Sequence, residues 1–138
     1  MVYLELKRKH TDQLNNFPMA FAFNKEQFQE GLDKLGVEKE NICTIPGGGF
    51  IRKADAKALG DLLLKQAKEM DQAMLDDNFL INAIEYELGN HEYCITYDPK
   101  TAMDVLGIDL ETTDKRVISC FEIAKKNYLD ACEVEGWT

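Results

Sequence analysis

Basic residues are missing from the middle of this chain: from Glu69 to Pro99 there is neither a lysine nor an arginine. Histidine is scarce as well, with only His10 and His91 in 138 residues, so zinc ligation would have to draw on scattered side chains, and neither a metal nor a cofactor is expected. The four cysteines, Cys43, Cys94, Cys120 and Cys132, form no Cys-x-x-Cys pair and are expected to be reduced and mostly buried. No apolar run approaches the ~20 residues of a membrane-spanning helix, and the basic start MVYLELKRKH has no apolar stretch behind it. An intracellular protein without membrane contact is expected. Low-complexity tracts, internal repeats and Pro/Gly/Ser-rich linkers are also absent, so residues 1–138 read as a single domain.

Hydrophobic residues make up 45% of the chain and charged ones 30%, the proportions of a globular protein that buries a core. The formal charge of -9 is unevenly spread. Residues 1–68 carry 11 basic and 9 acidic side chains, residues 69–99 carry 8 acidic and no basic ones, and residues 100–138 carry 5 basic and 8 acidic. The excess falls on Glu69, Asp71, Asp76, Asp77, Glu85, Glu87, Glu92 and Asp98. Such a field repels nucleic acid and anionic lipid and favours a basic partner, which makes direct nucleic-acid binding the least favoured function class.

Residues Leu4–Asn16 predict an amphipathic helix, and FPMAFAF, Phe17–Phe23, a short strand with alternating apolar positions, Pro18 marking an edge or strand entry. Asn24 and Gln27 read as a capping box for a helix carrying Phe28, Leu32 and Leu35 on one face and ending at Gly36. NICTI and FIRK flank PGGG as two strands joined by a four-residue turn. Leu59, Leu63, Ala67, Met70 and Met74 form a core-facing helical stripe from about Asp55. Asp76–Asn78 cap a helix to Leu88, with Gly89 as its stop; EYCITY, Glu92–Tyr97, reads as a strand; Asp98-Pro99 opens a short helix ended by Gly107. A last helix, Thr113–Glu133, carries Val117, Phe121, Ala124 and Tyr128 and takes Thr112 or Thr113 as its cap. With no regular βαβ rhythm the expected class is α+β: a small mixed or antiparallel sheet with a β-hairpin, packed by four to six helices.

Three constellations invite chemistry. Gly47–Gly49 run straight into Phe50, Ile51 and Arg52 with no Ser or Thr after Lys53, which fits a hairpin turn needing positive φ better than a phosphate loop. GNHEYC places His91, Glu92 and Cys94 within four residues, but on a strand Cys94 would point away from the turn that carries His91, and HExxH is not present. Glu85 and Glu87, two apart on a helix, diverge and have no basic residue near in sequence, so the acidic stretch reads as an interaction surface rather than a catalytic pair.

The segments FPMAFAF, QFQEGLDKLGV, GGGFIRKAD, FLINAIEYELGNHEYCITYD and LGI together resemble, over Phe17–Gly107, a family of small acidic proteins of phages and mobile elements in Bacteroides-type gut bacteria. One relative in that family is described as a type II-A anti-CRISPR, an inhibitor of Cas9. The resemblance implies a non-enzymatic inhibitor in the cytoplasm of a bacterial host, with Cas9 or its guide-RNA complex as partner, and supplies no catalytic residue. An acidic surface suits the positively charged channels of such a target. Asp76, Asp77, Glu85, Glu87 and Glu92 are the expected partner contacts. Two alternatives stand beside it: a small enzyme or ligand-binding domain using Asn90, His91, Glu92, Tyr93 and Cys94, or an oligomeric accessory protein with the last helix as interface.

Overall fold

The structure, a computed structural model, describes residues 2–134, so the ends of the expected 1–138 domain lie outside the described residues. It is an α+β fold with seven helices among the described residues and one antiparallel three-stranded sheet in the order β1-β3-β2. The contacts group into two compact units, one of Lys9–Lys68 and one of the described residues up to Arg8 and from Glu69 onward. The unit boundary falls inside helix α1, Tyr3–Asn15, and inside helix α3, Ala56–Ala73.

Unit Lys9–Lys68 is built on the sheet: β1, Ala20–Phe21, β2, Ile42–Ile45, and β3, Gly49–Arg52, with helix α2, Lys25–Leu35, on one face. The Asn24 side chain accepts from the Gln27 N–H at 2.8 Å and Gln27 Oε1 accepts from the Phe23 N–H at 2.9 Å, which satisfies two donors at the start of α2. Gly36 closes it in the left-handed conformation. Leu32 and Leu35 then pack with Ala20 and Phe50 as a core. Helix and sheet approach so closely at Gly31 that a Cβ there would lie 2.5 Å from the Phe50 ring and 2.9 Å from the Ala20 Cβ.

That close approach inverts the expected parity of the first strand. Its buried residue is the small Ala20, whereas Phe21 and Phe23 are 52% and 80% exposed. Nothing larger than alanine fits between β1 and α2, so the phenyls take the opposite face, where Phe21 and Ile45 lie over the bare Cα of Gly49. The hairpin is present with a turn of three residues, Pro46–Gly48, instead of four, and Gly47 and Gly48 take φ of 84° and 81°. The stripe on α3 is shifted too. Leu59 and Gln66 are its buried residues and Leu63 is 47% exposed; the Gln66 amide donates to the His10 carbonyl at 3.1 Å and to Gln13 Oε1 at 2.9 Å.

The other unit is organised around helix α4, Asp77–Asn90. Leu80, Ile84 and Leu88 face Tyr93, Met103, Cys120, Phe121 and Ala124, while Phe79 and Ala83 meet Tyr3 and Leu6. Apolar residues on both sides give α4 little amphipathic contrast, as expected of a helix at the centre of a unit. Truncating the fully buried Ile84 or Leu88 to alanine would cost about 2–5 kcal/mol. Its Asp76 cap accepts from the Phe79 N–H at 2.9 Å. Gly89 is no stop: the helix runs through it to Asn90.

EYCITY is not a strand. Glu92 and Tyr97 take left-handed φ of 57° and 55° and bracket a single helical turn, α5, Tyr93–Thr96, which buries Tyr93 on the α4 core. The β-branched and aromatic residues here have no neighbouring strand to pair with, because all three strands lie in the other unit. Helix α6, Lys100–Val105, follows, with Asp98 Oδ1 accepting from the Lys100 N–H at 3.0 Å. Helix α7, Lys115–Val134, is capped by Asp114, one residue beyond the expected threonines, through the Val117 N–H at 2.9 Å. Its Cys120, Phe121 and Ala124 pack on α4, so that stripe is spent within the unit.

Candidate functional site

The five carboxylates expected to meet a partner all lie in the unit built on α4, but they are not equivalent. Asp76 is exposed and engaged as the α4 cap. Asp77, also exposed, accepts from Arg116 Nε at 2.6 Å, and the same guanidinium donates to the Met74 carbonyl. Glu85 is half-buried and accepts from the Asn127 amide at 2.8 Å. Glu92 is exposed on the strained turn before α5.

Glu87 departs from the expectation. It has no exposed surface and cannot meet a partner directly. Its Oε1 accepts from the Tyr3 hydroxyl at 2.8 Å and from Lys7 Nζ at 3.2 Å, and His91 Nε2, one helical turn on, stands 3.3 Å from Oε2. The Lys7–Glu87 contact is a hydrogen-bonded ion pair, whereas the His91 approach lacks hydrogen-bond geometry and becomes an ion pair only when the imidazole is protonated. Burial, and secondarily the hydrogen bond and charge of Glu87, push the Tyr3 hydroxyl well above the ordinary tyrosine range. No local signal points to this cluster, since its lysine and tyrosine sit 80 and 84 residues from Glu87 along the chain. A Tyr and a Lys at i and i+4 on the first helix, Tyr3 and Lys7, are its trace in the sequence.

The GNHEYC segment separates its reactive side chains. His91 turns to Glu87, while the Cys94 backbone N–H donates to the Tyr128 hydroxyl at 3.2 Å. Burial, and then hydrogen bonds to the Cys94 and Cys132 thiols, raise the pKa of that hydroxyl. Cys120 and Cys132 are buried, Cys43 and Cys94 half-buried, and none is in a disulfide. Among the described residues no group of three His, Cys, Asp or Glu side chains is placed to hold a metal ion, and no helix is long and apolar enough to cross a membrane.

The two units differ sharply in charge. The residues up to Arg8 and from Glu69 onward hold seventeen Asp and Glu against seven Lys and Arg, and Lys9–Lys68 hold eight against nine. One unit therefore carries the whole negative excess of the chain, and the other is close to neutral.

Residues 2–127 match the model of a family of unknown function, DUF7659. The chain belongs to that family. The match takes in the Tyr3–Lys7–Glu87–His91 cluster and all five expected contact carboxylates of this DUF7659 chain. No curated protein and no solved structure matches it.

Proposed function

We propose that this chain is a non-enzymatic binding protein that acts in the cytoplasm of a bacterial host and engages a basic, nucleic-acid-handling protein through the acidic unit built on α4. The observation that carries the reading is the segregation of charge: the acidic excess is confined to one unit, and Asp76, Asp77 and Glu92 stand exposed on it. Complementary fields of this kind speed encounter and exclude wrong partners more than they add raw affinity. Cas9 is the concrete candidate, because its channels are positively charged and because the segments from Phe17 to Gly107 resemble a family with a Cas9 inhibitor.

A Cas9 cleavage assay tests it. The chain inhibits cleavage, and a variant combining Asp76→Asn, Asp77→Asn, Glu85→Gln and Glu92→Lys inhibits far less while keeping its circular dichroism and melting temperature. Asn at position 76 keeps the capping acceptor, so loss of fold is not built into the test. Full inhibition by the folded variant sinks the acidic-surface mechanism; no inhibition by the parent chain sinks Cas9 as the target.

A second reading is favoured by one contact. A buried carboxylate beside an imidazole is an arrangement used in general-base catalysis, and Glu87 Oε2 stands 3.3 Å from His91 Nε2. Should a substrate be found, His91→Ala abolishes turnover if this reading holds and leaves it intact if His91 only packs.

A further inference from the structure

Between the start of α6 and the segment after it lies an open groove of about 380 Å³. Met103, Ile108 and Leu110 line it, Met103 fully buried and the other two half-buried. Asp98, Asp109 and Glu111 line it as well, all exposed. The Asp98 and Asp109 side chains each give one oxygen to a backbone N–H two residues on, which fixes where the second oxygen stands. Among the described residues no ion pair reaches Asp98, Asp109 or Glu111.

One cation is already at this groove. Lys100 Nζ donates to Asp104 Oδ2 at 2.8 Å, and both residues are lining. The hydrogen bond and charge of Asp104, and then the charges of Asp98 and Asp109, raise the pKa of the Lys100 ammonium. The groove thus attracts a cation and, once Asp104 is matched, keeps three carboxylates in excess. A metal ion is not the occupant they suit, since no three of them are placed to hold one. Acidic groups spread along an apolar trough suit a side chain with an aliphatic stem and a wide cationic head. Arginine has both: its stem covers apolar surface and its planar guanidinium takes carboxylates in pairs. The volume lies toward the small end of the ~300–1,000 Å³ of ligand sites, enough for one or two side chains of an extended segment but not for a folded element.

We propose that the groove between α6 and residues 108–111 is a docking slot for an arginine-bearing segment of the partner protein, its stem on Ile108 and Leu110 and its guanidinium among Asp98, Asp109 and Glu111. The proposal rests on the reading of the chain as a binder of a basic protein, and it names where one arginine of that protein goes.

The test uses the full chain and a fluorescein-labelled peptide of alternating glycine and arginine, with a second peptide that has neutral citrulline in place of arginine. Anisotropy titrations show saturable binding of the arginine peptide and none of the citrulline peptide. Asp98→Asn, Asp109→Asn and Glu111→Gln together keep the turn acceptors and weaken binding by about tenfold or more. Lys100→Met removes the resident ammonium and tightens binding by about threefold or more, whereas Lys126→Met, which breaks the matching Lys126–Asp130 pair on α7, leaves it within about twofold. Equal binding by the triple variant, equal binding of the citrulline peptide, or equal gains from Lys100→Met and Lys126→Met would each overturn the slot. Because no Cas9 is present in this assay, failure of the Cas9 assignment and failure of the slot are read separately.

Discussion

Removing the Tyr3 hydroxyl leaves the buried Glu87 carboxylate with Lys7 and His91 alone. Hydrogen bonds to charged groups contribute about 1.5–3 kcal/mol, so Tyr3→Phe is expected to destabilise the chain by that amount in urea unfolding. In a Glu87→Gln background the same change costs about half as much or less, because the acceptor is no longer charged, and equal costs in the two backgrounds would show that the contact is not coupled. The raised pKa of Tyr3 fixes a pH dependence as well. A hydroxyl whose folded pKa lies above its unfolded value of about 10 stabilises the fold fully below pH ~10, and that contribution is lost as pH climbs toward the folded value. The unfolding midpoint should therefore fall more steeply above pH ~10 in the parent chain than in Tyr3→Phe, with Tyr128, Cys120, Lys100, Lys125 and Lys126, all likewise raised, contributing to the slope that remains.

At the scale of elements, Gly31 has the sharpest consequence. Alanine there gains about 1 kcal/mol of helix propensity but drives a methyl into Phe50 and Ala20, an overpacking that costs about 1–3 kcal/mol or more. A net loss of up to about 2 kcal/mol is expected in thermal or urea unfolding, and a stabilised variant would mean that α2 slides off the sheet without penalty. Local chemistry made the helices legible: the Asn24 and Asp76 caps, the Gly36 stop and the hairpin glycines all act within four residues of themselves. Parity and partner choice were not legible. Phe21 and Phe23 are turned out by a helix that approaches at Gly31, and EYCITY forms a helical turn because, among the described residues, no strand lies in its unit, facts that no window around either segment contains. Glu87 was misread as a surface residue for the same reason, its counter-charge being Lys7 on another helix.

For the molecule as a whole, the confinement of negative charge to one unit predicts where salt acts. Binding to a basic partner should weaken steadily from about 50 to 500 mM salt, as the Debye length falls below the reach of exposed charges. Neutralising Glu26 and Glu30 in the near-neutral unit leaves affinity and its salt slope unchanged, and a matching loss there would place the interface elsewhere. The two units also differ in how they relate to the order of synthesis. Lys9–Lys68 is one continuous stretch, so every partner in its core has left the ribosome once Lys68 has. The acidic unit is discontinuous: Tyr3 and Lys7 emerge some eighty positions ahead of Glu87. At about 5–20 residues per second that is a delay of several seconds, during which Tyr3 and Leu6 have no core to enter. Until α4 arrives, the face of α1 that carries Tyr3 and Leu6 stays without Phe79 and Ala83, the buried residues it packs on.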